Sequence, residues 1–136
     1  MGRLDVALCH AGMAQSCPIL DYSAGDWDKI IGLNLKGAFL VAQAAARKMV
    51  AAGTAGKIVF TSSWVQDVPW PDIAPYNVSK SGLKMLMRSM ARDLAAKGIR
   101  VNSVADAMIF LCSGASDYMT GATLLVDGGC SLYPMD

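Results

Sequence analysis

Hydrophobic positions along the chain follow two alternating rhythms. Short apolar runs of strand length alternate with longer stretches in which apolar residues recur at helical spacing. Leu4 to Cys9 is a run of the first kind, closed by a turn at Ala11-Gly12. Ser23-Ala24-Gly25-Asp26 has the pattern of a helix start, with an acidic residue three places after a serine cap. From Trp27 the apolar residues Ile30, Ile31, Leu33, Val41, Ala42 and Ala45 keep helical spacing, which predicts a helix to about Ala52 and a stop at Gly53. Lys57 to Ser62 is rich in β-branched and aromatic residues and predicts a second strand. Trp64 to Pro75 holds three of the five prolines and predicts a loop. Tyr76 to Lys97 carries the strongest helical stripe, Leu83, Leu86, Met87, Met90 and Leu94, with Gly98 placed to terminate it. Ile99 to Val104 predicts a third strand, Asp106 to Cys112 a short helix, and Thr123 to Val126 a fourth strand before Asp127-Gly128-Gly129.

The order βαβαβαβ predicts an α/β fold: a partial doubly wound, Rossmann-like parallel sheet of about four strands with flanking helices and right-handed crossovers. Length changes little here, since 136 residues suit one domain. Composition adds that 54% of residues are hydrophobic and mean hydropathy is +0.36, although no apolar run approaches the ~20 residues needed to span a bilayer. Strands buried on both faces and apolar helix faces used in association account for that excess. A net charge of +1 with scattered Lys and Arg leaves no basic footprint for nucleic acid. Cys9, Cys17, Cys112 and Cys130 form no CxxC pair and no metal-ligand spacing. Reduced thiols in a cytoplasmic protein are therefore expected. His10 is the only histidine, so neither a metal site nor a Ser-His-Asp triad is expected.

The candidate chemistry lies in Ala74-Pro75-Tyr76-Asn77-Val78-Ser79-Lys80, with Ser63 thirteen positions before the tyrosine. Tyr76 and Lys80 are just over one turn apart and share a helix face. A phenol titrates near pH ~10, and a cation close by favours its ionised form. Ser63, at the end of a strand, adds a hydroxyl able to bind the same substrate oxygen. Such a trio suits proton transfer in interconverting an alcohol and a carbonyl. The spacing alone also fits an ordinary amphipathic helix. The context, a strand-ending serine and a proline-rich approach to the helix, favours the chemical reading.

With these residues in place, the chain resembles the short-chain dehydrogenase/reductase family. The matching stretches are Asp5-Val6-Ala7-Leu8-Cys9-His10-Ala11-Gly12, Asn34-Leu35-Lys36-Gly37-Ala38-Phe39, Ile58-Val59-Phe60-Thr61-Ser62-Ser63, Tyr76 with Lys80, Gly98-Ile99-Arg100-Val101-Asn102-Ser103-Val104, and Thr120-Gly121 through Asp127-Gly128-Gly129. The resemblance implies hydride transfer between NAD or NADP and an alcohol or carbonyl substrate. Pro69-Trp70-Pro71 is similar to some sugar dehydrogenases of the family, which hints at a sugar or polyol. It implies Asn34, Ser63, Tyr76 and Lys80 as catalytic residues, with Ser63 chosen over Ser62 for its separation from the tyrosine. Tyr76 is the implied acid or base, Lys80 binds the nicotinamide ribose, and Asn34 kinks its helix and holds a relay water. Ala11 and Gly12, with Tyr76 and Lys80, are the implied cofactor-binding residues. Asn102 is read as bracing local backbone. The resemblance further implies a homo-oligomer, a dimer or tetramer, through the helices beginning near Trp27 and Tyr76.

Departures from the family pattern are as informative. Its glycine-rich TGxxxGxG turn is absent, and that turn lets a pyrophosphate approach a helix N-terminus. A further segment has no counterpart between Ala105 and Asp106, so residues 1–136 read as a single incomplete domain. Cys9-His10 replaces two asparagines, which predicts the loss of side chains tying neighbouring strands; His10 is read as a substitute at the cleft edge without a catalytic role. The first strand has an interior strand's sequence but an edge position. The alternative to an active dehydrogenase is thus a truncated, non-catalytic interaction module.

Overall fold

Burial of a β-strand on both faces requires cover above and below, and the chain supplies it with helices on two sides of one sheet. The structure, a computed structural model, describes residues 2–104 and 108–124. Its elements are β1 (Val6–Cys9), α1 (Ala24–Ile31), a π-helical turn (Gly32–Gly37), α2 (Ala38–Ala51), β2 (Lys57–Thr61), a 3₁₀ turn (Trp64–Gln66), α3 (Ala74–Leu94), a second 3₁₀ turn (Ala95–Lys97), β3 (Arg100–Val104), α4 (Met108–Cys112), a third 3₁₀ turn (Gly114–Ser116) and β4 (Thr123–Leu124). The four strands are all parallel and lie in chain order, β1-β2-β3-β4. The expected α/β architecture is present.

Alternation along β2 decides which helix covers which face. Ile58 and Phe60 enter a core with Val101, Ile99, the small residues Ala38, Ala42, Ala45 and Ala46 of α2, and Leu83, Met87 and Ala91 of α3. Val59 points the other way and packs on Leu111 of α4. Small residues on α2 bring that helix close to the sheet. Gly82 lets α3 approach the π-helical turn, because a Cβ there would fall 2.9 Å from Leu35 Cδ2.

Local chemistry explains the element ends. Ser23 Oγ accepts from the Asp26 amide, as its spacing predicts, and donates to the Asp26 carboxylate. Gly53 (φ 62°) and Gly98 (φ 72°) occupy left-handed positions after α2 and after the turn that ends α3. The fourth expected strand is described only through Leu124, and Asp127-Gly128-Gly129, Cys130 and Asp106 lie outside the described residues.

Several expectations are corrected. The helix predicted from Ser23 to Ala52 contains a π-helical turn at Gly32–Gly37. The wider turn changes the rotation of the residues in it and after it. Leu33 and Val41 from the predicted stripe are therefore 41% and 52% exposed, while Asn34 is buried with Ile30 and Ala38. The loop predicted from Trp64 to Pro75 contains a 3₁₀ turn capped by Ser63. It ends early because α3 starts at Ala74, with Pro75 in its first turn, where a proline's missing N–H costs nothing. Asn102, by contrast, braces backbone as expected: it donates to Met119 O and accepts from the Ala122 amide, both at 3.1 Å.

Candidate functional site

Carboxyl ends of parallel strands and helix starts converge on a cleft of about 280 Å³. Its walls are His10, Gly12, Met13 and Ala14 after β1, Thr61 and Ser62 at the end of β2, and Tyr76 and Lys80 on α3. The pair one turn apart in sequence therefore faces a single space. Lys80 is only 4% exposed, and its Nζ lies 5.4 Å from the centroid of the Tyr76 ring. That ammonium donates to Thr61 O at 2.7 Å. Burial pushes the Lys80 ammonium below its ordinary titration range.

Asn34 organises the floor. Its Oδ1 accepts from the Met13 amide at 2.8 Å, and its Nδ2 donates to Met13 O at 2.8 Å and to Ser79 Oγ at 3.1 Å. Ser79 Oγ in turn donates to Tyr76 O at 2.7 Å. The π-helical turn is what aims Asn34 inward, so the kink expected of this residue is present. A hydrogen-bonded path thus links the segment after β1 to the first turn of α3. Gly12 leaves the centre open: a Cβ there would sit 3.4 Å from Asn34 Oδ1 and 3.9 Å from Lys80 Nζ.

Not every expected residue shares this space. Ser63 Oγ accepts from the Val65 amide at 3.4 Å and caps the 3₁₀ turn, while its neighbour Ser62 lines the cleft. Ala11 lines an adjoining groove with Leu8, Leu33, Gly37 and Val41. His10 corrects the expectation that strand ties are lost, because its Nδ1 lies 2.9 Å from Thr61 Oγ1 and joins the ends of β1 and β2. Met13, Thr61 and Ser79 escaped the sequence reading. Ser79 had a signal, its place between Tyr76 and Lys80 on one helix; Met13 and Thr61 act mainly through backbone carbonyls, which no residue pattern reveals.

The arrangement can hold an alcohol or carbonyl oxygen near a phenol, beside a buried positive charge, at strand ends where nucleotides bind in open α/β sheets. Gly12, Tyr76 and Lys80 suit the nicotinamide ribose end of a dinucleotide. No glycine-rich turn for its pyrophosphate occurs among the 136 residues. Among the described residues no group of three or more His, Cys, Asp or Glu comes together, and no helix is long and apolar enough to cross a membrane.

Comparison with known proteins agrees with the geometry. A family model described as short chain dehydrogenase matches residues 1–111. An uncharacterized oxidoreductase, YohF, from Escherichia coli is 33% identical over 168 aligned residues, covering 97% of this chain and 66% of the relative. Gluconate 5-dehydrogenase from Gluconobacter oxydans is 29% identical, again over 97% of this chain and 66% of the relative. Among solved structures, acetoin dehydrogenase YohF from Salmonella typhimurium superposes with a TM-score of 0.93 at 30% identity, covering 97% of this chain and 66% of that one. A gluconate 5-dehydrogenase from Burkholderia cenocepacia, in complex with NADP and tartrate, gives 0.92 at 31% identity, covering 98% of this chain and 67% of that one. The chain thus spans about two thirds of the length of the curated relatives it matches.

Proposed function

Because the chain belongs to the short-chain dehydrogenase family of oxidoreductases, we propose that it carries the proton-transfer site of an NAD- or NADP-dependent enzyme acting on an alcohol or carbonyl substrate. The observation that carries this reading is the shared cleft of Tyr76 and Lys80, with the lysine buried and its ammonium held by Thr61 O. Tyr76 exchanges the proton of the substrate hydroxyl at its phenol oxygen. Lys80 supplies positive charge beside that oxygen and donors toward the cofactor ribose. Ser63, one residue beyond the cleft wall, holds the substrate oxygen once its cap to Val65 is released; Ser62 already lines the wall. Asn34 fixes Met13 against the first turn of α3 and so sets the cleft's width. Gly12, Ala11, Tyr76 and Lys80 would hold a nicotinamide dinucleotide, which would supply the hydride exchange.

The substrate class is a sugar acid or polyol. Support comes from relatives named gluconate 5-dehydrogenase and 2-dehydro-3-deoxy-D-gluconate 5-dehydrogenase, while neighbours solved with NADP support the nicotinamide cofactor. The working compartment is the cytoplasm, and the assembled form is a homo-oligomer. Exposed Leu40 and Val50 on α2 and Met85 on α3 favour association through these helices. The reading also includes a segment of the relatives between Ala105 and Asp106, since the YohF alignment runs over 168 residues against 136 here.

The test is NADP- or NAD-linked oxidation of gluconate by the purified protein and by Tyr76→Phe. General acid–base catalysis contributes ~100-fold or more, so the variant should lose at least that factor with its circular dichroism unchanged. Turnover retained in Tyr76→Phe removes Tyr76 from its role. A wild-type chain that neither turns over nor binds NADPH favours the second reading, an interaction module. Leu8, 48% exposed on β1, motivates that alternative.

A further inference from the structure

A side chain that takes part in a reaction must be held in place by its neighbours. Lys80 Nζ donates to Thr61 O at 2.7 Å, and among the described residues no other acceptor holds it. Whatever fixes the Thr61 peptide therefore fixes the ammonium. On one side the sheet secures that peptide, where Thr61 pairs with Val104 of β3. On the other side the ladder stops one residue short, because the last pair between β1 and β2 is Cys9 with Phe60. Past that point a side chain takes over. His10, the first residue after β1, shares a hydrogen bond of 2.9 Å between its Nδ1 and Thr61 Oγ1.

That bond restrains more than the imidazole. Thr61 is β-branched, so the torsion between its hydroxyl and its backbone is stiff. Anchoring Oγ1 to the end of β1 thus restrains the Thr61 backbone, whose carbonyl oxygen accepts from Lys80. His10, Thr61 and Lys80 line the same cleft. The connection runs from His10 Nδ1 to Thr61 Oγ1, and from Thr61 O to Lys80 Nζ. An asparagine can make the first link equally well, since its terminal atoms and the histidine Nδ1 are all attached directly to Cγ.

We infer that His10 is a positioning residue, which acts through Thr61 to hold the Lys80 ammonium where it faces the Tyr76 ring. The holding of Lys80 is independent of any chemistry; its use in turnover rests on the function proposed above.

The experiment treats the native protein with a limiting amount of acetic anhydride and reads acetylation at each lysine by peptide mass mapping. Lys57 is the internal reference. It lies at the opposite, amino end of β2, its side chain is 12% exposed, and it pairs with Asp117 at 2.8 Å. In His10→Ala and in His10→Phe, which keeps a ring but has no Nδ1, acetylation of Lys80 should rise about threefold relative to Lys57. That factor is the lower end of what one uncharged hydrogen bond is worth, because water competes for the exposed His10 ring. His10→Asn should keep the wild-type ratio. An unchanged ratio in the alanine and phenylalanine variants overturns the proposal. So does a parallel rise at both lysines, which signals a looser fold, and so does a His10→Asn protein that behaves like His10→Ala. In the active enzyme, kcat should fall by a similar factor in His10→Phe and be kept in His10→Asn; an unchanged kcat in His10→Phe overturns the role in turnover. A wild-type chain without activity removes the proposed function and leaves the acetylation test standing.

Discussion

Replacing Asn34 by alanine probes the whole floor of the cleft at once. The change removes three hydrogen bonds, two to the Met13 peptide and one to Ser79 Oγ. Each such bond is worth ~1 kcal/mol net, and a buried partner left unmatched costs ~1–3 kcal/mol. The Met13 contacts are only partly buried, so water meets part of that demand and the lower end applies. The expected loss is about 3 kcal/mol, a large share of the ~5–15 kcal/mol that typically holds a domain together. Urea unfolding followed by tryptophan fluorescence should show the midpoint fall by ~1–3 M at an unchanged slope. A double-mutant cycle with Ser79→Ala should return a coupling near 1 kcal/mol, because the two side chains touch. The Met13 amide should also exchange faster with deuterium. A loss smaller than about 1 kcal/mol at constant slope would show that the Asn34 network does not hold the segment after β1, and the account of the cleft's width would fall with it.

Two further outcomes test the electrostatics. Burial lowers the Lys80 titration point in the folded chain, so the unfolded chain, near ~10.4, binds more protons across the interval between the two values. Stability should therefore rise with pH over that interval, and Lys80→Met should remove this rise; parallel pH profiles of the urea midpoint in the two proteins would contradict the assignment. Cys9 is 6% exposed and burial raises its thiol to about 11, so at pH ~8 only about one molecule in a thousand holds the reactive thiolate. Iodoacetamide followed by peptide mass mapping should label Cys17 well before Cys9 in the folded protein, and equal rates would refute the burial argument.

Elements whose cause lies within a few residues were legible in the sequence. Ser23 caps the helix that its spacing to Asp26 announces, Gly98 ends α3, and Tyr76 and Lys80 face one cleft because one helical turn separates them. Features set by distant contacts were not. The π-helical turn at Gly32–Gly37 accompanies Asn34 reaching Met13 and Ser79, partners 21 and 45 residues away. Apolar spacing alone therefore carried Leu33 and Val41 into a stripe that the turn rotates to the surface. Thr61 was invisible for another reason: it holds Lys80 through its carbonyl, and every residue has one. The replacement of asparagine by histidine at position 10 suggested a lost link between strands, yet an imidazole nitrogen reaches Thr61 as an amide would.

The order of the sheet has a consequence for biosynthesis. Strands lie side by side in the order in which they are translated, every one parallel to the last. When β2, β3 or β4 emerges from a ribosome, the neighbour it must join has already been made, so assembly can proceed by accretion at a single advancing edge. Each addition waits for a whole crossover to loop back, a slow step set by chain closure. Until it finishes, the newest strand presents an open ladder to any other chain nearby.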